Sequence, residues 1–415
     1  MNRNLSFGTL WATLVAFAVI ALASDARAGS EYKVLYNFKG GADGIGPTGL
    51  IFDPTGNLYG TTDVGGGGGC TDYGCGTVYQ LIKSDGRWSE KVLLRFKGTR
   101  GRFPDSGVII DTEGNLYGTT SGHFGGNGVA FKLTRGAHGD WSMSVLHIFA
   151  GGNDGLTPYG GLVQDAAGNL YGTTDLGGGS GSCPYGCGIV YELSPPRATG
   201  GEWTETILHR FKGKPDGANP LASLTIAADG NLYGTTAIGG AHDSGTVFKL
   251  ARGSNGKWTE DILHNFNQST DGTDPSSNVA FDAHGNLYCT TYSGTSSTRG
   301  SVVELTAAHG WKVKVIHVFR GGSDGGNPLT GLTVDESGNL YGTTSDELTG
   351  GNGTVFKLTR GPKGVWTKTI LHSFTGDRDG SFPDVRLIMD SLGNLYGATG
   401  GGGSLGWGVV FEITP

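Results

Sequence analysis

The chain has 415 residues, of which 79 are glycine and only 16% are charged, where about 7% glycine and about 25% charge are usual. No strict third-residue period makes this collagen, and 18 Phe, 15 Tyr and 8 Trp are too many for a chain that buries no core. A net charge of −7 without any basic run argues against nucleic acid and anionic lipid as partners. Glycine at this density excludes long helices, because each one costs about 1 kcal/mol in a helix interior.

Residues 1–28 come first and stand apart. Arg3, an apolar run from Phe7 to about Ala23, and Ala26-Arg27-Ala28 have the form of a secretory signal peptide, with cleavage expected after Ala28. The rival is a retained membrane anchor, but the run is short for a span of about 20 residues. No cysteine lies near that site, so no lipid anchor is expected, and no later segment is apolar enough to span a membrane as a helix. Residues 29–415 form one predicted domain, secreted or periplasmic, and expected to be a monomer.

The domain is one unit repeated. After a strand-like piece, Tyr32 to Phe38, Asn-Leu-Tyr recurs with its Asn at 57, 115, 169, 231, 286, 339 and 394. Five copies read GNLYGTT; the others read GNLYCTT from Gly285 and GNLYGAT from Gly393. In the copy around Asn339 the predicted strands are Gly331 to Asp335 (a), Asn339 to Thr344 (b), Gly353 to Leu358 (c) and Trp366 to Phe374 (d). The a-to-b link, Asp335 to Asn339, suits a tight turn with the Asp side chain capping its amides. The c-to-d link is again hairpin-like, and the b-to-c link is glycine-rich and varies most. Only the d-to-a link lacks a tight turn signature, and it carries a proline in every copy, from Pro47 to Pro383.

Four antiparallel strands with one longer crossover describe a blade of a β-propeller. The sequence predicts an all-β, seven-bladed propeller of four-stranded antiparallel blades. The first piece is a d strand without its Trp, and the last pieces are a, b and c without a d. The ring is therefore expected to close by pairing the N-terminal strand with the c strand of the seventh blade.

The pattern L-H-x-F, D-G-x-x-P, G-L-x-x-D-x-x-G-N-L-Y-G-T-T and G-T-V-F-K-L resembles the Gloeobacter–Verrucomicrobia (GloVer) tandem repeat over residues 31–415. The resemblance implies an exported, repeat-built bacterial protein and no particular activity. Members often end in a surface anchor or sorting region. This sequence stops at Pro415, directly after the last strand, so any anchoring is expected to be indirect.

Cys70 and Cys75, and Cys183 and Cys187, fall in the b-to-c links of blades 1 and 3. In an exported protein two such local pairs point to disulfides. A four-thiolate zinc site is the alternative, disfavoured because blades 1 and 3 are not neighbours. Cys289 stands where other copies have a strand glycine, and an inert buried thiol is expected there.

Five histidines share one repeat position: 147, 209, 264, 317 and 372. On outer strands of different blades they are too far apart to share one ion, so each is expected to bond within its own blade, beside Phe and Trp of the same face. The Asp of six d-to-a links, such as Asp154, Asp216 and Asp379, reads as a turn residue, and the blade 1-to-2 link has Arg100 instead. One carboxylate per loop does not supply the six to eight oxygens of a calcium site, so neither metal nor cofactor is expected. Two G-x-S-x-G strings, at Gly321 and Gly402, lie on no strand-to-helix turn and fit no nucleophile elbow. The Gly65 to Gly69 run lacks the Lys-Ser/Thr of a phosphate loop.

What remains are non-repeated residues of the b-to-c links: Tyr73, Phe124, Tyr185, Tyr292, Arg299, Asp346 and Trp407. Variable loops on a rigid scaffold are where binding resides, and aromatics flanked by glycine suit sugar rings or protein side chains. The expected function is a non-catalytic exported module that binds a glycan or protein, or serves as an envelope scaffold. The alternative is a polysaccharide lyase or hydrolase. Hydrolases need two carboxylates about 5–10 Å apart, and acidic residues outside the repeated turns look scattered, as at Asp346 and Glu347.

Overall fold

The computed structural model describes residues 29–122, 127–179, 181–198, 200–295 and 297–415. The 1–28 segment and Phe124 lie outside them. Among the described residues there is no α-helix. Seven four-stranded antiparallel sheets follow one another, each in the order a-b-c-d, with two further two-stranded ribbons. Blade 6 is typical, with a at Thr333–Val334, b at Leu340–Thr344, c at Thr354–Arg360 and d at Trp366–Ser373.

Strand a is shorter than its sequence implies, two residues in blades 3 to 7. The carbonyls just upstream serve the neighbouring blade instead of their own sheet. Thr119 Oγ1 donates to Gly160 O (3.2 Å), Thr173 Oγ1 to Ala222 O (3.0 Å) and Thr235 Oγ1 to Ser277 O (2.8 Å). The first Thr of the repeated string thus stitches blade to blade.

The other residues of the string have equally definite places. Leu340 is fully buried and Tyr341 nearly so. Asp335 Oδ1 accepts from the amides of Ser337 (2.9 Å) and Asn339 (2.8 Å), and its Oδ2 from Asn339 Nδ2 (2.7 Å) and Tyr341 Oη (3.0 Å). The Asp cap expected of the a-to-b turn is present. These bonds hold the Asp335 carboxyl below its ordinary range against the opposing effect of burial. The second Thr, Thr344, bonds Thr354 at the start of strand c (2.9 Å).

Gly342 has no room for a side chain, since a Cβ would stand 2.7 Å from the ring of Phe356 on strand c. The equivalent pair in blade 5 is Cys289 opposite Val303. The larger residue on strand b occurs where strand c has lost its aromatic ring, and the Cys289 thiol is buried and pushed up to about 12. Val303→Phe alone is expected to cost about 1–3 kcal/mol through overpacking, and Cys289→Gly alone to leave a void. The double variant should recover most of the loss. A double-mutant cycle in denaturant measures the coupling, and simple additivity would contradict this packing.

Strand d departs from simple alternation. Ile370 pairs with Phe356 and His372 with Val355, so Leu371 is an extra, bulged residue. Ile370 packs toward blade 5 while Leu371 packs toward blade 7. His372 lies on the blade 7 side, stacked on Tyr32 with ring centroids 3.8 Å apart and edge-on to Phe374 at 4.8 Å. Trp366 faces the other way, against Tyr288 at 5.9 Å. The His–Phe contact is as expected, but the Trp is on the opposite face, because the bulge reverses the alternation between them.

The ring closes as the ends of the sequence imply. Glu31–Asn37 pairs antiparallel with Val409–Thr414, and its bulge at Leu35 repeats that of every other blade. Leu35 and Phe38 join Val410, Ala398 and Tyr396 of blade 7 and Leu58, Tyr79 and Leu81 of blade 1 in one apolar cluster.

Both disulfides are formed, Cys70–Cys75 and Cys183–Cys187, with Cα atoms 5.1 and 5.2 Å apart. They fasten glycine-rich loops onto the core, in which Cys75 and Cys187 are fully buried, and they fit an oxidising extracellular or periplasmic environment. No helix among the described residues is long and apolar enough to cross a membrane.

Candidate functional site

The d-to-a links build the centre of one face of the disc. The residue before each repeated proline is left-handed: Gly46, Phe103, Thr157, Asn219, Asp274, Asn327 and Phe382 have φ between 55° and 64°. For the six that are not glycine this conformation costs about 1–3 kcal/mol each, and the bonds they make hold them there. Asn327 N donates back to Arg299 O of the preceding repeat (2.7 Å), while Asn327 O accepts from Ser345 N of its own blade (3.1 Å). Phe382 does the same with Asn352 O (2.9 Å) and Gly400 N (2.8 Å). Each link is thereby riveted to two blades, and the residue after the proline is delivered to the mouth of the central channel.

Acidic and tyrosine side chains meet there from around the ring. Tyr159 lies within electrostatic reach of Asp105, Asp63, Asp384 and Asp175, which belong to blades 2, 1, 7 and 3. Tyr292 of blade 5 is under the influence of Glu347, Asp274 and Asp384. Asp384 therefore faces both tyrosines across the opening. Burial, with the neighbouring Asp63 carboxylate adding to it, pushes Asp105 up to about 8. Asp384 is open to water yet crowded by surrounding protein, and that crowding and then Glu347 push it up to about 7. Both tyrosine hydroxyls are raised, first by burial and then by the surrounding carboxylates.

Below it, adjacent blades approach closely at glycines: a Cβ on Gly49 of blade 1 would stand 2.7 Å from Gly107 Cα of blade 2. Arg386 is surrounded by protein yet open to water. It lines, with Thr225, Val279 and Thr333, a cleft of about 670 Å³ that reaches the opposite face. A positive group thus lies inside the channel and carboxyls ring its mouth.

The described residues singled out from the sequence separate into four places. Tyr73, 58% exposed, leans on Trp407 with ring centroids 6.0 Å apart, at the junction of blades 1 and 7. Tyr185, on blade 3, is 76% exposed. Tyr292 belongs to the channel mouth. Arg299 and Asp346 close on Gly326, whose Cβ would stand 2.8 Å from Arg299 Cβ and 3.2 Å from Asp346 Oδ1. Asp346 is buried, accepts from Thr344 Oγ1 (3.1 Å) and braces its own loop. The acidic residues that look scattered in sequence, Asp63, Asp105, Asp175 and Asp384, are gathered by the ring. Their signal lay in two columns, after the proline and after the second Thr, where residue type changes while everything around it repeats.

A family model for the Gloeobacter/Verrucomicrobia repeat matches residues 21–183, 121–347 and 283–415. The chain belongs to that repeat family. A search of curated proteins returns no match. Similar solved structures include a Lactobacillus plantarum protein at 15% identity and TM-score 0.48, covering 78% of this chain and 83% of that one. A putative oxidoreductase (glucose dehydrogenase) from Thermus thermophilus gives 17%, 0.43, 77% and 95%. The PQQ-bound aldose sugar dehydrogenase of Streptomyces coelicolor gives 11%, 0.44, 93% and 99%. At these scores neither activity nor ligand is transferred to this repeat-family member.

The outer rim holds a second arrangement, also repeated. Each histidine of the shared repeat position meets the link Asp seven residues later: His264 Nε2 to Asp271 Oδ2 is 2.8 Å and His372 Nε2 to Asp379 Oδ2 is 3.0 Å. Tyr36 takes the histidine's role with Asp43 (2.8 Å). The Asp also caps its link, as Asp154 does by accepting from Ala150 N (2.8 Å), so the turn reading holds. The next blade adds a third group that varies: Glu90, Glu205, Glu260, Lys368 or Tyr32. Burial pushes Glu205 up to about 7, with Asp154 adding to it against the His147 ring. Burial and then Asp216 push Glu260 up to about 8.

Proposed function

We propose that this protein is an exported, non-catalytic propeller that binds a glycan at the mouth of its central channel. The observation that carries the reading is the meeting of Tyr159 and Tyr292 with carboxyls from blades 1, 2, 3, 5, 6 and 7, at the columns where the repeat departs from itself. Tyrosine faces suit sugar rings, and carboxyl oxygens accept from sugar hydroxyls. An acidic mouth disfavours uronic or sulfated chains, so neutral or amino sugars are the preferred class. Export is supported by the sequence of residues 1–28 and by the two disulfides.

The enzymatic reading has one feature in its favour, the Asp105 carboxyl pushed up to about 8 by burial and then by the neighbouring Asp63. Those carboxyls are in hydrogen-bonding contact, closer than the roughly 5 Å that a sugar-cleaving pair requires, which favours binding over cleavage. Calorimetric titration against neutral, amino and acidic oligosaccharides, with product analysis of each mixture, tests both readings. Binding of a neutral or amino oligosaccharide without cleavage is the expected result. Turnover abolished by Asp63→Asn would establish the enzyme instead, and no binding across the panel would overturn the glycan reading.

A further inference from the structure

Apart from the channel mouth, the blade 2–3 and blade 3–4 junctions each bring one imidazole and two carboxylates from adjoining blades together. In each, one donor atom per residue lies within 4.8 Å of the others: His147, Asp154 and Glu205, and His209, Asp216 and Glu260. We propose that these are two equivalent zinc sites on the rim, each holding a four-coordinate ion with water in the fourth position.

The distances carry this. Zinc binds imidazole nitrogen and carboxylate oxygen at about 2.0–2.2 Å, so ligand atoms at the corners of a tetrahedron stand about 3.3–3.6 Å apart. His147 Nε2 is 3.3 Å from Asp154 Oδ2 and 3.7 Å from Glu205 Oε1. His209 Nε2 is 3.4 Å from Asp216 Oδ2 and 3.5 Å from Glu260 Oε2.

The other junctions of the same ring serve as internal controls. Where Val313 or Tyr32 replaces the glutamate, the histidine closes onto its Asp at 2.8 or 3.0 Å, an ordinary direct hydrogen bond. With a second carboxylate present the histidine stands 3.3 or 3.4 Å from its Asp, while His317, with Lys368 as its third group, is 3.2 Å from Asp324. At the blade 5–6 junction the third group is Lys368, whose ammonium bonds Asp324 Oδ1 at 2.6 Å. That junction carries its own cation in the place where the other two carry a glutamate. Among the described residues no lysine or arginine forms an ion pair with Glu205 or Glu260. His209 Nε2, Glu205 Oε1 and Glu260 Oε1 are shut off from solvent without a hydrogen-bond partner, as are His317 Nε2 and Glu90 Oε1 at two other junctions. Three protein ligands of mixed N and O type suit zinc, whereas calcium requires six to eight oxygens. The five histidines share no single ion, as their spacing implies, but two of them each complete a set of their own.

The test uses the full mature chain, stripped with chelator, reloaded with zinc, dialysed and analysed for metal. Two zinc per chain are expected, one after Glu205→Gln or Glu260→Gln, and none after both. Lys368→Glu should raise the count to three. Zinc absent from the wild-type chain, or a count unmoved by either glutamine variant, would overturn the proposal. Cobalt substitution of the wild-type chain gives a readout that needs no variant. Intense visible bands of a four-coordinate ion support the sites, and the weak bands of a six-coordinate ion overturn them.

Discussion

Removal of residues 31–38 is expected to abolish cooperative unfolding and leave a chain that aggregates. These residues supply the outermost strand of blade 7, so their loss strips the paired edge from Val409–Thr414. Val409, Val410 and Phe411 are fully buried in the closed ring, and an uncovered edge bearing such residues is a template for association. Leu35 and Phe38 also leave the cluster that joins the first and last blades, at about 1.5–3 kcal/mol for each buried side chain. The combined loss is comparable with the whole stability of an ordinary domain, about 5–15 kcal/mol. Thermal unfolding followed by circular dichroism, with size-exclusion chromatography before heating, makes the comparison. A single sharp transition is expected for the intact chain and a broad or absent one for the truncated chain. An unchanged melting temperature would mean that the N-terminal strand does not close the ring.

Asp105→Asn is expected to stabilise the protein, and increasingly so as pH rises. The Asp105 carboxyl is pushed up to about 8 in the fold, from an ordinary value of 3.8. Between those values the folded chain holds a proton that the unfolded chain has released, so native stability falls with rising pH across the window. Above about pH 8 both states are ionised and the penalty is complete. Asparagine has no proton to lose, and its amide still donates to the Asp63 carboxylate. The melting temperature should exceed that of the parent by little at pH 5 and by several degrees at pH 8 and above, measured by scanning calorimetry. A difference that is constant from pH 5 to 9 would contradict a proton held at Asp105.

Much of the architecture was legible because it is written seven times. The spacing of Asn-Leu-Tyr, the Asp cap at Asp335 and the unpaired end strands define the blades, their turns and the closure. The short loops between paired cysteines made both disulfides legible as well. The bulge at Leu371 was not, because Ile370, Leu371 and His372 in succession leave open which of them breaks the alternation. Nor was the left-handed residue before each proline, since Phe103, Thr157 and Phe382 carry no local mark of positive φ. The channel mouth was hidden for a different reason. Asp63 and Asp384 act on the same Tyr159 although they lie at opposite ends of the chain, and only a closed ring brings them together. Loop variability, by contrast, drew attention to Tyr185, which is exposed on blade 3 and is not among the groups acting on Tyr159 or Tyr292.

The ligand is expected at the channel mouth rather than on the outlying loop aromatics. Titrating the best-bound oligosaccharide of the panel into the Tyr159→Ala and Tyr185→Ala variants tests that placement most directly. Loss of one stacking aromatic is worth roughly 0.5–1.5 kcal/mol, so Tyr159→Ala should weaken binding about two- to tenfold while Tyr185→Ala leaves it unchanged. The opposite pattern, with affinity lost at Tyr185 and kept at Tyr159, would contradict the account and move the site to the loops.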